Sequence, residues 1–228
     1  GWEAELVITT TVQLYETLIG TRTAAVRRFH RLAGAIIVLD EPQTLPPPLW
    51  PVFREMLRTL ATDLHTHVLL LTATQPVIFA PEETQELAPE AATWSAALNR
   101  TVLEIVPDPL SVEELVALVR RDLAAHPDRS ALVILNTHAT AQAVYRRLAE
   151  TCPGPQTLVY LSAHVPPLLR RERLRRLQTA DHPFVVVSTP VLDTGVQLDA
   201  HVCYRALAPV DRLIQAAGRC NRHGLRDR

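Results

Sequence analysis

Ala35-Ile36-Ile37-Val38-Leu39-Asp40-Glu41-Pro42-Gln43 is an apolar run that stops at two adjacent carboxylates. Such a run suits a strand buried on both faces of a parallel sheet, and ligands bind at the C-terminal edge of these sheets. Asp40 and Glu41 fall on that edge. One acid can hold a hydrated Mg²⁺ while its neighbour orients or deprotonates an attacking water. The alternative is structural, because Asp is a good helix N-cap and a proline-rich helix start follows. The run by itself leaves both readings open.

The flanking sequence repeats this alternation. Leu6 to Thr10 reads as a short strand, followed by a helical pattern through Leu18 and an arginine-bearing helix from Thr21 to Leu32. Pro46, Pro47 and Pro48 fit a loop and a first helical turn, and Leu49 to Leu64 carries a helical core face in Val52, Met56, Leu57 and Leu60. Val68 to Leu71 is the next apolar strand and ends in Thr72-Ala73-Thr74. Residues 81–97 read as a surface excursion.

Thr101 to Val106 reads as a strand, and Ser111 with Glu114 three residues later is a capping box opening a helix to His126. Strands are then expected at Ala131–Leu135, Thr157–Leu161, Phe184–Ser188 and His201–Tyr204. Helices are expected at Thr140–Ala149, Leu168–Gln178 and Val210–Gly218. This alternation signifies an α/β fold with parallel sheets, and its extent fits two domains, residues 1–98 and 99–228.

Of the 228 residues 47% are apolar, which fits globular folding, and no apolar run reaches the length of a membrane span. The start lacks the basic and apolar segments of a signal peptide. Cys152, Cys203 and Cys220 are scattered and odd in number, which fits a reduced, cytoplasmic protein with buried thiols. His65-Thr66-His67 suits a solvated strand edge better than a metal site. With a net charge of −1, any polyanion site must be local. All 23 basic residues are arginine, so lysine chemistry is excluded.

Three boxes in order at strand ends resemble superfamily-two helicases, which have two RecA-like domains in tandem. Asp40-Glu41-Pro42-Gln43 resembles motif II, Thr72-Ala73-Thr74 resembles motif III, and Gln215 through Arg222 resembles motif VI. Leu71 through Pro76, Asn136-Thr137 with Ala141, and Ile214 through Gly224 are similar to the CRISPR-associated DNA helicase-nuclease of type I interference systems. The opening Val7 through Glu16 also resembles the segment preceding that family's motif II.

The resemblance implies an ATP- and Mg²⁺-dependent translocase on single-stranded DNA, recruited by an RNA-guided surveillance complex. It implies that Asp40 holds Mg²⁺ through water and that Glu41 activates the hydrolytic water. Gln43, Gly195 and Asp199 would join Asp40 in nucleotide binding, and Thr72, Ala73 and Thr74 would couple the domains. Gln215, Arg219 and Arg222 lie at i, i+4 and i+7, so a continuous helix would align them on one face, where arginines can fork onto phosphate oxygens.

Thr9, Thr10, Asn136, Thr137, Ser188 and Thr189 occupy places where helicases of this group grip a DNA backbone. Ordinary helix capping is the competing reading for each of them. Arg170, Arg171, Arg173, Arg175 and Arg176 crowd one segment, as a phosphate track or as a solvated face. Two other readings remain beside the CRISPR one: another superfamily-two helicase for repair, restriction or RNA, and a non-catalytic nucleic-acid-binding or docking module.

The chain departs from the family in three respects. The Gly-rich phosphate loop ending in Lys and Thr or Ser is absent, which is expected of a fragment beginning after that loop, with the preceding segment of the same protein as its partner. Motif V, Ser188 through Asp199, has Pro190 where the family commonly has Gln, and Gln197 where it commonly has Asp. The His-Asp nuclease signature is absent, so this chain is expected to have no nuclease activity.

Overall fold

The computed structural model describes residues 2–72, 78–90, 93, 100–151, 157–179, 182–190 and 198–224. The chain forms two compact units, Gly1–Pro89 and Glu90–Arg228. The boundary read from the sequence, between residues 98 and 99, lies outside the described residues.

In the first unit, α1 (Thr11–Ile19) begins where the Thr10 hydroxyl accepts the Gln13 N–H at 3.1 Å. It ends at Gly20, whose N–H donates to the Glu16 carbonyl at 2.8 Å. A Cβ at Gly20 would lie 2.2 Å from that oxygen, so the close approach requires glycine. Next come α2 (Thr23–Phe29), β1 (Ile36–Asp40), α3 (Trp50–Asp63) and β2 (His67–Leu71). β1 and β2 pair in parallel, from Ile36 opposite His67 to Asp40 opposite Leu71. Phe53, Leu57 and Leu60 of α3 pack with Ile37 and Leu39 of β1 and with Leu14 and Leu18 of α1.

This arrangement corrects one expectation. β1 is buried on one face only: Ile37 and Leu39 point into the core, whereas Ile36 is 73% and Val38 54% exposed. An apolar run signals two covered faces only when elements exist to cover both, and α1 and α3 join one core cluster.

The second unit contains α4 (Val112–Ala125), β3 (Ala131–Ile134), α5 (His138–Thr151), β4 (Thr157–Leu161), α6 (Pro167–Gln178), β5 (Phe184–Ser188), β6 (Val202–Arg205) and α7 (Val210–Ala217). Its strands form one parallel sheet in the order β4-β5-β3-β6. The capping box forms as read: the Glu114 N–H donates to the Ser111 hydroxyl at 3.2 Å, and the Ser111 N–H donates to the Glu114 carboxylate at 2.7 Å. The bonds that the Ser111 N–H and the Ser111 hydroxyl, each at 2.7 Å, donate to the Glu114 carboxylate hold that carboxyl below its usual range, the backbone bond most strongly.

β3 shows why this sheet is buried on both sides. Ala131 and Val133 join a core with α4 and α5 residues such as Val119 and Val144, whereas Leu132 and Ile134 join another with Leu177 and Ala216 from α6 and α7. Successive side chains of a strand point to opposite faces, so both layers of helices are required.

Two expected strands are absent. Leu6–Thr10 and Thr101–Val106 form no ladder, and their residues, the half-buried Thr101 apart, are exposed. A strand needs a hydrogen-bonding neighbour as well as the right composition, and among the described residues β1 pairs only with β2 while β6 pairs only with β3.

Candidate functional site

In the first unit, chemistry gathers where β1 and β2 end side by side. Asp40 closes β1 and is exposed. The Glu41 N–H donates to the Leu71 carbonyl at 2.8 Å, extending the ladder by one bond. Glu41 then takes a left-handed backbone (φ 51°, ψ 54°), which folds Pro42–Thr44 into a 3₁₀ turn. A non-glycine residue in this region is uncommon and is held there by its surroundings. The Thr44 N–H donates to the Glu41 carbonyl at 3.0 Å, Pro42 is buried, and the Trp50 indole N–H donates to the Leu45 carbonyl at 2.7 Å.

This turn brings Gln43 back over Glu41. The Gln43 amide N–H donates to the Glu41 carboxylate through a short hydrogen bond, and its amide oxygen accepts the Thr72 hydroxyl at 3.2 Å. Glu41, Gln43 and Thr72 are therefore joined across both strand ends, with Asp40 beside them. Ala73 and Thr74 lie outside the described residues. Among the described residues no cluster of three His, Cys, Asp or Glu side chains surrounds a common point. An exposed carboxylate fits Mg²⁺, which keeps several waters and takes only one or two protein carboxylates.

In the second unit the expected helical alignment of Gln215, Arg219 and Arg222 does not occur. α7 stops at Ala217, and the chain tightens to i→i−3 bonds: the Arg219 N–H donates to the Ala216 carbonyl at 3.0 Å and the Cys220 N–H to the Ala217 carbonyl at 2.9 Å. The next residues pair with the chain preceding β6. The Ala200 N–H donates to the Arg219 carbonyl at 2.9 Å, and the Asn221 N–H donates to the Ala200 carbonyl at 3.1 Å. Ladder hydrogen bonds replace further helical turns.

Asn221 is left-handed (φ 47°), the Arg222 N–H donates to Asp199 Oδ1 at 2.9 Å, and the Arg100 guanidinium donates to the Arg222 carbonyl at 2.6 Å. Arg219 is only 8% exposed, whereas Arg222 is exposed and Gln215 half-buried. The Asp199 carboxylate fixes the arginine-bearing turn. Gly195 lies outside the described residues.

The residues proposed for the DNA backbone divide by their bonds. Thr9 is exposed. Thr10 caps α1, and the Thr137 hydroxyl accepts the Thr140 N–H at 3.1 Å, so capping holds for both. Asn136 is engaged at both ends of its amide: it donates to the Leu207 carbonyl at 2.7 Å and accepts from the Arg205 guanidinium at 2.7 Å. Ser188 is buried and donates to the Thr189 carbonyl at 2.5 Å, and the Thr189 N–H donates to the Leu161 carbonyl at 3.3 Å. On α6, Arg173 donates to the Tyr160 carbonyl at 2.7 Å and Arg176 pairs with Glu172 at 2.7 Å, while Arg171 and Arg175 are exposed.

One group was missed in the sequence. His138 and His164 stack with ring centroids 4.3 Å apart, and the Tyr160 hydroxyl is 2.7 Å from His138 Nδ1. A usable signal existed: each lies at or just beyond the C-terminal end of β3 or β4, the edge that carries ligands in parallel sheets.

Parallel sheets with polar residues gathered at their C-terminal strand ends, and an arginine-bearing turn after the last helix, define an α/β protein with RecA-like sheets. Residues 127–225 match the family model for the CRISPR-associated nuclease/helicase Cas3, C-terminal. Over 97% of its length the chain is 25% identical to the CRISPR-associated nuclease/helicase Cas3 of Haloferax volcanii, covering 33% of that protein. Cas3 from T. fusca with AMPPNP superposes with a TM-score of 0.71 at 24% identity, over 95% of this chain and 30% of that one. A chain in a CRISPR RNA-guided surveillance complex, pre-nicking, gives 0.67 at 23%, over 95% and 32%. Dbp5 of S. cerevisiae bound to RNA and ADP BeF3 gives 0.52 at 18%, over 85% and 51%. The chain thus spans about a third of the length of its Cas3 relatives. It is similar to Cas3 proteins over nearly its whole length.

Proposed function

We propose that the chain carries part of the motor of an ATP-dependent single-stranded DNA translocase in CRISPR interference, acting in the cytoplasm with an RNA-guided surveillance complex. Residues 1–98 would belong to the first RecA-like domain and residues 99–228 to the second. The supporting observation is the Glu41–Gln43–Thr72 network at the paired ends of β1 and β2. It ties the proposed base to motif III, as a hydrolytic site coupled to movement requires.

Asp40 would hold Mg²⁺ through water, and the ion when bound would neutralise charge on the nucleotide phosphates. Glu41 takes the proton of the attacking water, and Gln43 holds its carboxylate in place. Arg222, exposed on a turn locked by Asp199 and Arg100, supplies a guanidinium to developing phosphate charge. Arg219 belongs to that turn and Gln215 to α7 before it, and Thr9 and Thr189 would contact DNA.

The test uses the full-length protein, measuring DNA-stimulated ATP hydrolysis beside strand binding. Glu41→Gln is expected to cut hydrolysis at least about a hundredfold, and Arg222→Ala about a thousandfold, with strand binding retained in both. Equal loss of hydrolysis and binding would sink the assignments. Residues 1–228 alone, having no lysine, are expected to hydrolyse ATP weakly or not at all.

A further inference from the structure

We infer that the stacked His138–His164 pair is a nucleobase platform: a base of a single strand stacks on the exposed His164 ring, while His138 and Tyr160 hold that ring in place. The inference rests on the nucleic-acid reading above and specifies which part of the strand is contacted.

The geometry is that of a supported aromatic surface. The two imidazole rings are 4.3 Å apart at centroids and tilted by 32°. Rings that overlap at this tilt do not converge their nitrogens on one ion, and His138 Nδ1 is already occupied by the Tyr160 hydroxyl at 2.7 Å. Tyr160 is fixed in turn: its ring lies 5.4 Å from that of Tyr145, and its carbonyl accepts from Arg173 at 2.7 Å.

The loop presenting His164 is also held. The His164 N–H donates to the Ser162 hydroxyl at 3.2 Å, and the Val165 N–H donates to the Ser162 carbonyl at 3.1 Å, with Ser162 and Val165 buried. His164 itself is exposed. A rigid exposed ring backed by a second aromatic ring gains more from a stacking partner than a mobile one, because less side-chain entropy is lost on contact.

The surroundings suit a polyanion. His138 opens the 14-residue α5, whose N-terminus is electropositive, and α6, which begins three residues after His164, carries exposed Arg171 and Arg175. Base stacking on an aromatic ring beside arginines that follow the backbone is how single strands are held without regard to sequence.

The experiment measures binding of the full-length protein to a fluorescein-labelled oligothymidylate and to an abasic deoxyribose-phosphate strand of equal length. His164→Ala is expected to weaken oligothymidylate binding about tenfold and leave abasic binding unchanged. His164→Phe, which keeps a stacking ring, is expected to stay within about twofold of the parent. Unaltered oligothymidylate binding by His164→Ala, an equal loss on the abasic strand, or a His164→Phe variant as weak as His164→Ala would each overturn the inference. If the parent binds neither strand, the nucleic-acid reading itself falls, and this inference with it.

Discussion

The two units put the same parallel pairing to different degrees of completion. In the second unit every residue of β3 and β5 is buried, because helices cover both faces of the sheet. In the first unit β1 alternates, with its odd-facing side chains in the core and Ile36 and Val38 on an open surface. One apolar run therefore supports two different environments, and the covering elements decide which. The small sheet relies on one core around Phe53, Leu57 and Leu60, whereas the large one divides its burial between two.

The largest expected effect tests whether that difference makes the units separately vulnerable. Phe53 and Leu132 are both almost wholly buried. Phe53→Ala should cost about 3–5 kcal/mol and Leu132→Ala about 2–5 kcal/mol. By amide hydrogen exchange, Phe53→Ala should release protection in residues 1–89 while residues 90–228 keep theirs, and Leu132→Ala should do the reverse. Uniform loss along the chain after either change would break the comparison.

A smaller effect belongs to the second unit alone. Burial, then the hydrogen bond donated to Asp122 at 2.8 Å and the charge of that carboxylate, push the Tyr204 phenol well above its ordinary range. The folded chain thus holds this proton more tightly than the unfolded one. The associated stability is complete below about pH 10 and is lost as pH rises beyond it. Tyr204→Phe should cost about 1 kcal/mol at neutral pH. Denaturant titrations of parent and variant should converge as the pH rises from 9 toward 12, and parallel curves would contradict the sign.

The smallest effect is the sharpest test of the open face. Val38→Thr should change stability by less than about 0.5 kcal/mol and raise the soluble fraction. Leu39→Ala, one residue on, should cost about 2 kcal/mol or more. Equal losses at the two positions would mean that the exposed face of β1 is covered after all.

What could be read from the sequence follows the range of the interactions. The strands from Ala131 to Ser188 and the Ser111–Glu114 capping box depend on local pattern and appear where expected. Leu6–Thr10 and Thr101–Val106 have strand composition without a ladder partner, which no local pattern discloses. Gly218 marks the end of α7 in the sequence, but the pairing of Ala200 with Cys220 that redirects Arg219 and Arg222 is long-range. The His138–His164 stack joins residues from two different connections. The acidic step at Asp40-Glu41 was legible as a strand end, whereas the fold of Gln43 back onto Glu41 required the left-handed turn.

That turn also determines which change at the proposed base disturbs the structure least. The Gln43 amide presents its N–H to the Glu41 carboxylate and its oxygen to the Thr72 hydroxyl, so a glutamine at position 41 would still offer an acceptor oxygen of the same reach. The bond survives and the negative charge goes. If Glu41 is the base proposed above, Glu41→Gln is the substitution that removes the charge with the loop intact, whereas alanine at that position would leave the Gln43 donor without this acceptor and let the loop relax.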